Sequence, residues 1–462
     1  LIKSWGWVNL DYIELTPYEE SPFHLSSKPV TPEPTESALK LYNFILANFK
    51  KHVISGVMTE RPFENNGQYT PQDFTTQTEL KYIYDASGKN VVLVGFDFLH
   101  ASGKNSDQQW YQGYTHASLE MAKTVWKAGG IPQFNWHWKD PMHDVEAFYT
   151  ESSGNTPFTT FSITKAYDDA TEKWKTDSDE YKAIIRDLEM IADSLLTLQE
   201  AGVALMWRPL HEAAGKWFWW GTDGAKPCVA LYKLMFDIFV NQKNLHNLIW
   251  VWTTDEAGDA LDWYPGDEYV DVVGRDYYYY PREANHASLV GSFETVKEIF
   301  GGRKIVTLSE NGSVPYPDEM KADGAYWSWF MPWYGDYAME GWANDNNAES
   351  WKKVMNDEYT LTLEDMPGWD KYQIVDIPDE KITDRVLSSK TAHASFDLTG
   401  KTLRISAQGN SRVLIFDMLG NRIFKKNVYG NSAIDIGKIT AGWYTIRIQG
   451  KDFSQSNRIF IK

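Results

Sequence analysis

Leu205–Gly221 reads L-M-W-R-P-L-H-E-A-A-G-K-W-F-W-W-G. It begins as an apolar run of strand length and ends in four aromatics that follow a lysine. Between them stand Arg208, His211 and Glu212. A strand that delivers three polar side chains at its C-terminal end makes poor core, because each would need a partner away from water. The same residues make good active-site material where parallel strands open their C-terminal ends onto a common face. The number of similar strands around it then sets the fold.

Working outward, a β/α alternation starts near Glu36 and repeats eight times. The expected strands are His52–Met58, Asn90–Phe96, Ile131–Trp136, Val203–Pro209, Asn247–Thr253, Val270–Asp276, Lys304–Glu310 and Tyr326–Trp333. Most are short apolar runs without clean alternation, as parallel strands covered on both faces should be. The segments between them have helical period. In the clearest, Ser178 and two acids open a helix with Ile184, Leu188, Ile191, Leu195 and Leu198 on one face, and Gly202 lies just past its end. Eight such units predict an α/β fold, a (β/α)8 TIM barrel. A doubly wound open sheet is the alternative, but no glycine-rich dinucleotide fingerprint follows any expected strand. The connection Trp138–Thr176 is long for a βα loop and carries Phe148, Tyr149, Phe158 and Phe161. Loops of that length in compact domains are usually functional, so it is expected to wall a cleft.

The flanks read differently. Residues 1–15 partly alternate apolar and polar from Trp5 to Leu15, and resemble the closing strand of a carbohydrate-binding β-sandwich, a remnant that could not fold alone. With no initiator Met and no signal peptide, the start looks like an excised fragment. Residues 16–35 hold Pro17, Pro22, Pro29, Pro32 and Pro34, a linker composition. The barrel is expected over 36–372 and a second linker over 373–390. From 391 to 462 short alternating segments appear, Leu403–Ser406, Arg412–Asp417, Arg422–Phe424, Ala433–Ile436, Trp443–Ile448 and Arg458–Ile461, punctuated by Gly409, Gly420, Gly430, Gly442 and Gly450. They predict a small all-β sandwich domain.

Charge divides the chain in the same place. Thr391–Lys462 holds 11 basic and 4 acidic residues, a balance of +7, against 34 and 59, or −25, in the remainder. The net charge of −18 excludes a nucleic-acid partner, which needs a basic footprint. The 21 Trp and 26 Tyr suit a surface that meets flat neutral faces, and sugar polymers have them. No apolar run reaches the roughly 18 residues of a membrane-spanning segment. Cys228 is the only cysteine, so no intramolecular disulfide can form.

Collecting polar residues at the strand ends gives Asn135-Trp136-His137-Trp138 on the third strand and Arg208, His211 and Glu212 on the fourth. Asp276 and Tyr278 end the sixth, Glu310 the seventh, and Trp329 and Trp333 the eighth. Two glutamates thus emerge across the barrel mouth from each other. Paired carboxylates around one bond are what glycoside hydrolysis requires, one donating a proton and the other attacking or directing water. Their pKa values must differ. Glu212 lies among aromatics that would keep it protonated, and Arg208 and Tyr278 are expected to hold Glu310 ionised.

R-P-L-H-E-A-A-G-K-W-F-W-W-G (208–221) resembles the acid/base signature of glycoside hydrolase family 26. T-L-S-E-N-G (307–312) resembles that family's nucleophile segment, G-R-D-Y-Y (274–278) its sixth-strand motif, and F-N-W-H (134–137) its third-strand histidine. The resemblance runs from about Glu36 to Asp370. It implies a retaining endo-β-1,4-mannanase that cuts mannan, glucomannan and galactomannan without cofactor or metal, acting as a monomer. It makes Glu212 the acid/base and Glu310 the nucleophile, with His211 contacting the 2-hydroxyl of the sugar. Arg208 and Tyr278 would position Glu310, and His137, Trp217, Asp276 and Trp333 would line the central subsite. Tyr334 stands where some members carry an arginine that serves a distal subsite. The C-terminal pattern V-L-I-F-D-M-L-G-N-R-I-F, then I-D-I-G-K-I-T-A-G-W-Y-T-I-R-I, resembles sorting modules of secreted and surface proteins of the Bacteroidetes, which implies a secreted or cell-surface bacterial protein. An accessory binding domain would have a similar pattern.

Other readings compete. Glu212 alone could be a surface partner of Arg208, worth little, and His137 a satisfied core histidine. Of Trp217, Phe218, Trp219 and Trp220, one or two should be packing. Asp140 and His143 have metal-like spacing without a third ligand and are expected to be a solvated loop pair. Trp327 and Trp329 share one face of their strand. Glu60 and Asp97 end strands without an assigned role. A mixed-linkage β-glucanase or xylanase of the same family remains open, as does a non-catalytic polysaccharide-binding protein using the same aromatic cleft.

Overall fold

Seven of the eight expected apolar runs pair side by side as one parallel sheet. They are β1 Gly56–Met58, β2 Leu93–Asp97, β3 Ile131–Asn135, β4 Leu205–Arg208, β5 Leu248–Thr254, β6 Val272–Tyr277 and β7 Ile305–Asn311, in that spatial order. Every adjacent pair is parallel. Their residues are buried almost throughout, as the unbroken apolar runs require when both faces are covered. The computed structural model describes residues 23–377 apart from 63, 66, 67 and 70–73, and residues 394–461 apart from 400, 408, 409, 417–421 and 451–453.

The eighth run, expected as a strand over Tyr326–Trp333, is not a regular one. It still bonds to both ends of the sheet. Ser328 N–H donates to Val306 and Trp333 N–H to Asn311 on the β7 side, while Ile54 N–H donates to Ser328 and Met58 N–H to Pro332 on the β1 side. Side chains take two further N–H groups: Thr307 Oγ1 accepts from Trp329 N–H at 3.1 Å, and Asn311 Oδ1 from Met331 N–H at 2.8 Å. Pro332 has no N–H to give. The circle is closed by an irregular stave, which suits a segment that must aim Trp333 inward. Trp327 turns to the helix layer, 5.2 Å from Phe293 and donating to Ser288 O. The first run is also divided, with Val53–Ile54 pairing with Thr360–Leu361 and Ser55 spending its hydroxyl on Leu361 O.

The helix expected after Ser178 spans Asp179–Glu200. Ser178 caps it by accepting from Tyr181 N–H, and Asp179 and Glu180 in the first turn favour its positive end. The expected apolar face is buried, but so is Asp187, which is fully enclosed. Its carboxylate accepts from Trp138 Nε1 at 2.8 Å and meets His143 Nε2 at 3.2 Å. This helix therefore anchors the loop that follows β3.

Of the expected linker 16–35, residues 16–22 lie outside the described residues, as do 1–15. The part from 23 to 35 is not a free spacer. Val30 N–H donates to Asp271 Oδ1 at 2.7 Å, His24 N–H to Gly302 O and Thr35 N–H to His246 O. Most of the expected linker 373–390 also lies outside the described residues.

Residues 394–461 hold seven strands. Ala394–Thr399, Thr402–Ala407 and Ser432–Asp435 form one sheet, and Arg422–Tyr429, Asn410–Phe416, Gly442–Gly450 and Ser454–Ile461 another. Leu403, Ile405, Val413, Ile415, Ile434, Ile446, Ile448 and Ile461 bury together in one core, while Arg404 between two of them is exposed. The sandwich expectation stands, with one strand more than expected. The added strand is Ala394–Thr399, at the edge of its sheet, where Ala394, Phe396 and Leu398 alternate with polar residues over too short a run to have been singled out.

Candidate active site

Arg208 at the end of β4 is fully buried and ties four neighbouring strands to its own. Its Nε donates to Asn135 Oδ1 of β3 at 3.0 Å. Nη1 donates to Thr253 Oγ1 of β5 at 3.0 Å and to Asp276 Oδ2 of β6 at 2.7 Å, and Nη2 ion-pairs with Glu310 Oε2 of β7. A buried cation is tolerable only when its donors are satisfied in this way. Asp276 is held on its other oxygen by Ser309 Oγ at 2.6 Å. Glycine at 274 makes room for that hydroxyl, since a Cβ there would stand 2.2 Å from Ser309 Oγ.

Glu310 is 7% exposed. Its second oxygen accepts from the Tyr278 hydroxyl at 2.6 Å. Burial pushes its carboxyl up and Asp276 adds to that, while Arg208 and the Tyr278 hydrogen bond push it down. The expectation that Arg208 and Tyr278 hold it ionised is thus right in sign for each partner, but burial outweighs them. Burial and the Glu310 charge lift Tyr278 well above its ordinary value, so it stays a donor.

Glu212 sits in a strained turn. Leu210, Glu212 and Lys216 all have positive φ, at 49°, 53° and 63°. Bulky L-residues adopt that region at a cost of about 1–3 kcal/mol each, and such residues cluster at functional sites. Gly221 lets the turn close, for a Cβ there would lie 1.9 Å from Ala213 O. Burial raises the Glu212 carboxyl well above the carboxylate range, and the charges of Asp276 and Glu310 raise it further. Trp217 Nε1 donates to its Oε2 at 3.1 Å. The structure therefore ranks the two glutamates, with the proton on Glu212.

One carboxylate oxygen each of Glu212, Asp276 and Glu310 lies within 4.8 Å of the others. Among the described residues this is the group of carboxylates close enough to ligate an ion. Arg208 already supplies a positive charge to two of its members.

His137 and His211 face each other, Nε2 to Nε2 at 3.2 Å. Asp97 at the end of β2 fixes His137 through both its oxygens, one accepting the backbone N–H at 2.9 Å and the other paired with Nδ1. His211 is 1% exposed, and burial, Arg208 and His137 push its pKa well down, so it is neutral. Its Nδ1 has no hydrogen-bond partner among the described residues. Trp333 closes this corner, its ring 5.6 Å from that of His137.

Of the four aromatics after Lys216, only Trp217 reaches solvent, at 39% exposed; the other three are packing. Trp219 donates to Trp138 O and Trp220 to His211 O. The long loop after β3 docks on this turn, with Thr150 N–H donating to Trp217 O at 2.9 Å. It brings Tyr149 to 5.2 Å from Phe218, and burial and then the charges of Glu212 and Glu310 raise the Tyr149 pKa. Asp140 is not the solvated loop residue expected. It is 4% exposed and accepts from the backbone N–H groups of Met142, Asp144 and Val145, which leaves it a loop-capping role.

The structure thus brings together His137, Arg208, His211, Glu212, Trp217, Asp276, Tyr278, Glu310 and Trp333. Sequence reading gave no role to Asp97, Thr253 or Ser309, and placed Tyr149 only on the loop expected to wall the cleft. Asp97 stood at a strand end, which was its available signal; Thr253 and Ser309 look like ordinary strand residues.

Residues 30–365 match the family model described as glycosyl hydrolase family 26, and residues 399–462 the secretion system C-terminal sorting domain. A mannan endo-1,4-β-mannosidase of Thermothelomyces thermophilus is 32% identical over 372 residues, covering 80% of this chain and 70% of that protein. Mannan endo-1,4-β-mannosidase B of a Piromyces species is 29% identical, and the chain spans 59% of its length. Among solved structures, a β-mannanase from a symbiotic protist of the termite Reticulitermes speratus, complexed with gluco-manno-oligosaccharide, superposes with a TM-score of 0.67 at 43% identity, over 75% of this chain and 100% of that one. The Podospora anserina β-(1,4)-mannanase gives 0.61 at 27%, over 76% and 72%.

Proposed function

The chain belongs to glycosyl hydrolase family 26, and from that premise we propose that it is a retaining endo-β-1,4-mannanase acting on mannan, glucomannan and galactomannan. The observation that carries the mechanism is the close pairing of two unequal carboxyls, Glu212 and Glu310, with oxygens within 4.8 Å. Retaining glycosidases set their carboxyls about 5–5.5 Å apart, whereas inverting ones leave about 6.5–9.5 Å for a water.

In the first step Glu310 attacks the anomeric carbon as Glu212 gives its proton to the departing glycosidic oxygen. The anomeric C–O bond breaks and a glycosyl ester forms on Glu310. Esterification removes the Glu310 charge, one of the causes that raise the Glu212 pKa. Glu212, now ionised, is then better suited to take a proton from the water that cleaves the ester. Arg208 and Tyr278 hold Glu310 in line and accept its charge when it leaves again. In this reading the proton donor, the nucleophile and their supports all come from one chain.

His211, neutral and facing His137 beside Glu212, is the residue to which we assign contact with the 2-hydroxyl, the group that distinguishes mannose from glucose. Trp217 offers the stacking face beside the proton donor. The C-terminal sorting domain directs the protein to secretion or the bacterial cell surface. No helix among the described residues is long and apolar enough to cross a membrane.

Reducing-sugar release from mannan, barley β-glucan and xylan tests the substrate. Release from mannan above the other two is expected, and no release from mannan overturns the reading. Glu310→Ala should lose nearly all activity while still binding. Glu212→Ala should regain rate with azide, which needs no general base.

A further inference from the structure

Trp342 is 73% exposed, yet its loop is firmly held. Asn346, 1% exposed, accepts from Val314 N–H at 2.8 Å and donates to Gly312 O and Tyr337 O. Asp345, 2% exposed, accepts from Arg282 Nε at 2.6 Å. The Arg282 guanidinium lies 3.6 Å over the Tyr337 ring and 5.0 Å from the Trp342 ring. Tyr337 in turn packs edge-on against Tyr278, at 5.1 Å, and Tyr278 is the donor to Glu310.

These groups converge on Gly312, two residues beyond Glu310. A Cβ there would lie 3.2 Å from Asp345 Oδ1, 3.5 Å from the Tyr278 ring and 3.8 Å from the Tyr337 ring. The cluster therefore sits on the catalytic face and is continuous with the nucleophile's support. A large indole left mostly in water gains little by packing, and its neighbour is a guanidinium held by a buried acid. Arg282 covers one face of the indole, which leaves the other face outward. A flat aromatic face of fixed orientation fits the C–H face of a pyranose ring, which is apolar although the ring's edge carries hydroxyls.

We propose that Trp342, positioned by Arg282 and Asp345, is an outlying stacking platform for a pyranose unit of the polysaccharide, beyond the units held at Glu212 and Glu310. This rests on the reading of the cleft as a mannanase site. The platform adds affinity for long chains and takes no part in the chemistry. Arg282 and Asp345 are positioning residues that fix the tilt of the indole.

The test compares the wild type with Trp342→Ala and Trp342→Phe on mannan and on manno-oligosaccharides of two to six units. Because the side chain is exposed, neither change should disturb folding. Trp342→Ala should raise KM for mannan and the longest oligosaccharides by about three- to tenfold, with kcat and the shortest substrates unchanged. Trp342→Phe should restore most of the loss. If the wild type cleaves mannan and Trp342→Ala has the same KM at every length, the platform is overturned and the mannanase reading stands. Equal loss at all lengths also overturns it, because that reports distortion through Tyr278. If the wild type does not cleave mannan, the mannanase reading is what fails. Affinity electrophoresis of wild type and Trp342→Ala in mannan, β-glucan and xylan gels then decides the platform alone: weaker retardation of the variant in one gel supports it, and equal mobility in all three overturns it.

Discussion

Trp217 donates its indole N–H to Glu212 Oε2 at 3.1 Å, so the one exposed aromatic of its cluster also holds the carboxyl to which we assign proton donation. The bond occupies one carboxyl oxygen and leaves the other for the proton. It also favours the ionised form, opposing the burial that raises the Glu212 pKa.

Replacing Trp217 with Phe keeps a stacking face and removes that donor. The Glu212 pKa should rise further, so the alkaline limb of kcat/KM, which reports loss of the catalytic proton, should move to higher pH. A pH–rate profile of Trp217→Phe on mannohexaose measures this. An alkaline limb that stays in place or moves down contradicts the assignment of Glu212 as the acid.

Arg208→Met strips a fully buried cation from between two carboxylates. Breaking such a pair by removing one partner costs about 3–5 kcal/mol, which urea unfolding of the variant against the wild type would show. The Arg208 charge lowers the Glu310 pKa, so its loss should raise it and move the acid limb of kcat/KM to higher pH. A variant of unchanged stability and unchanged acid limb would mean that Arg208 does not support the nucleophile.

The fold was legible where burial dictated the residue type. The runs that became β2 to β7 are apolar because both faces are covered, and the helix at Asp179–Glu200 shows its cap, its acids and its stripe. The eighth run was apolar for the same reason, but two of its backbone N–H groups go to the Thr307 and Asn311 side chains, and no periodicity reports such bonds. The site followed a similar division. Glu212 and Glu310, which the structure brings close together, were legible because carboxylates at strand ends are conspicuous. Asp97 was seen at its strand end but could be assigned no partner, since His137 lies 40 positions away and only the pairing of β2 with β3 brings them together. Asp140 misled because its three partners are backbone N–H groups, which carry no residue signature.

Asp97→Asn tests the histidine pair. The carboxylate accepts from His137 twice, and the amide replaces one acceptor with a donor. Losing one charge-assisted hydrogen bond is worth about 1.5–3 kcal/mol, so kcat/KM should fall roughly 10- to 100-fold. Asp97→Glu should recover part of it. Comparing both variants on mannohexaose and cellohexaose shows whether the pair reads the sugar: a loss confined to the manno-substrate supports that role, and full activity in Asp97→Asn removes it.

The spacing of Glu212 and Glu310 makes one prediction that no other part of the molecule can satisfy. Proton NMR of the products formed in the first moments of mannohexaose hydrolysis, before mutarotation, reads the configuration at the newly released reducing end. Double displacement through Glu310 predicts that the β-anomer appears first and the α-anomer only later. Initial appearance of the α-anomer would mean a single displacement by water, and would contradict the covalent role assigned to Glu310.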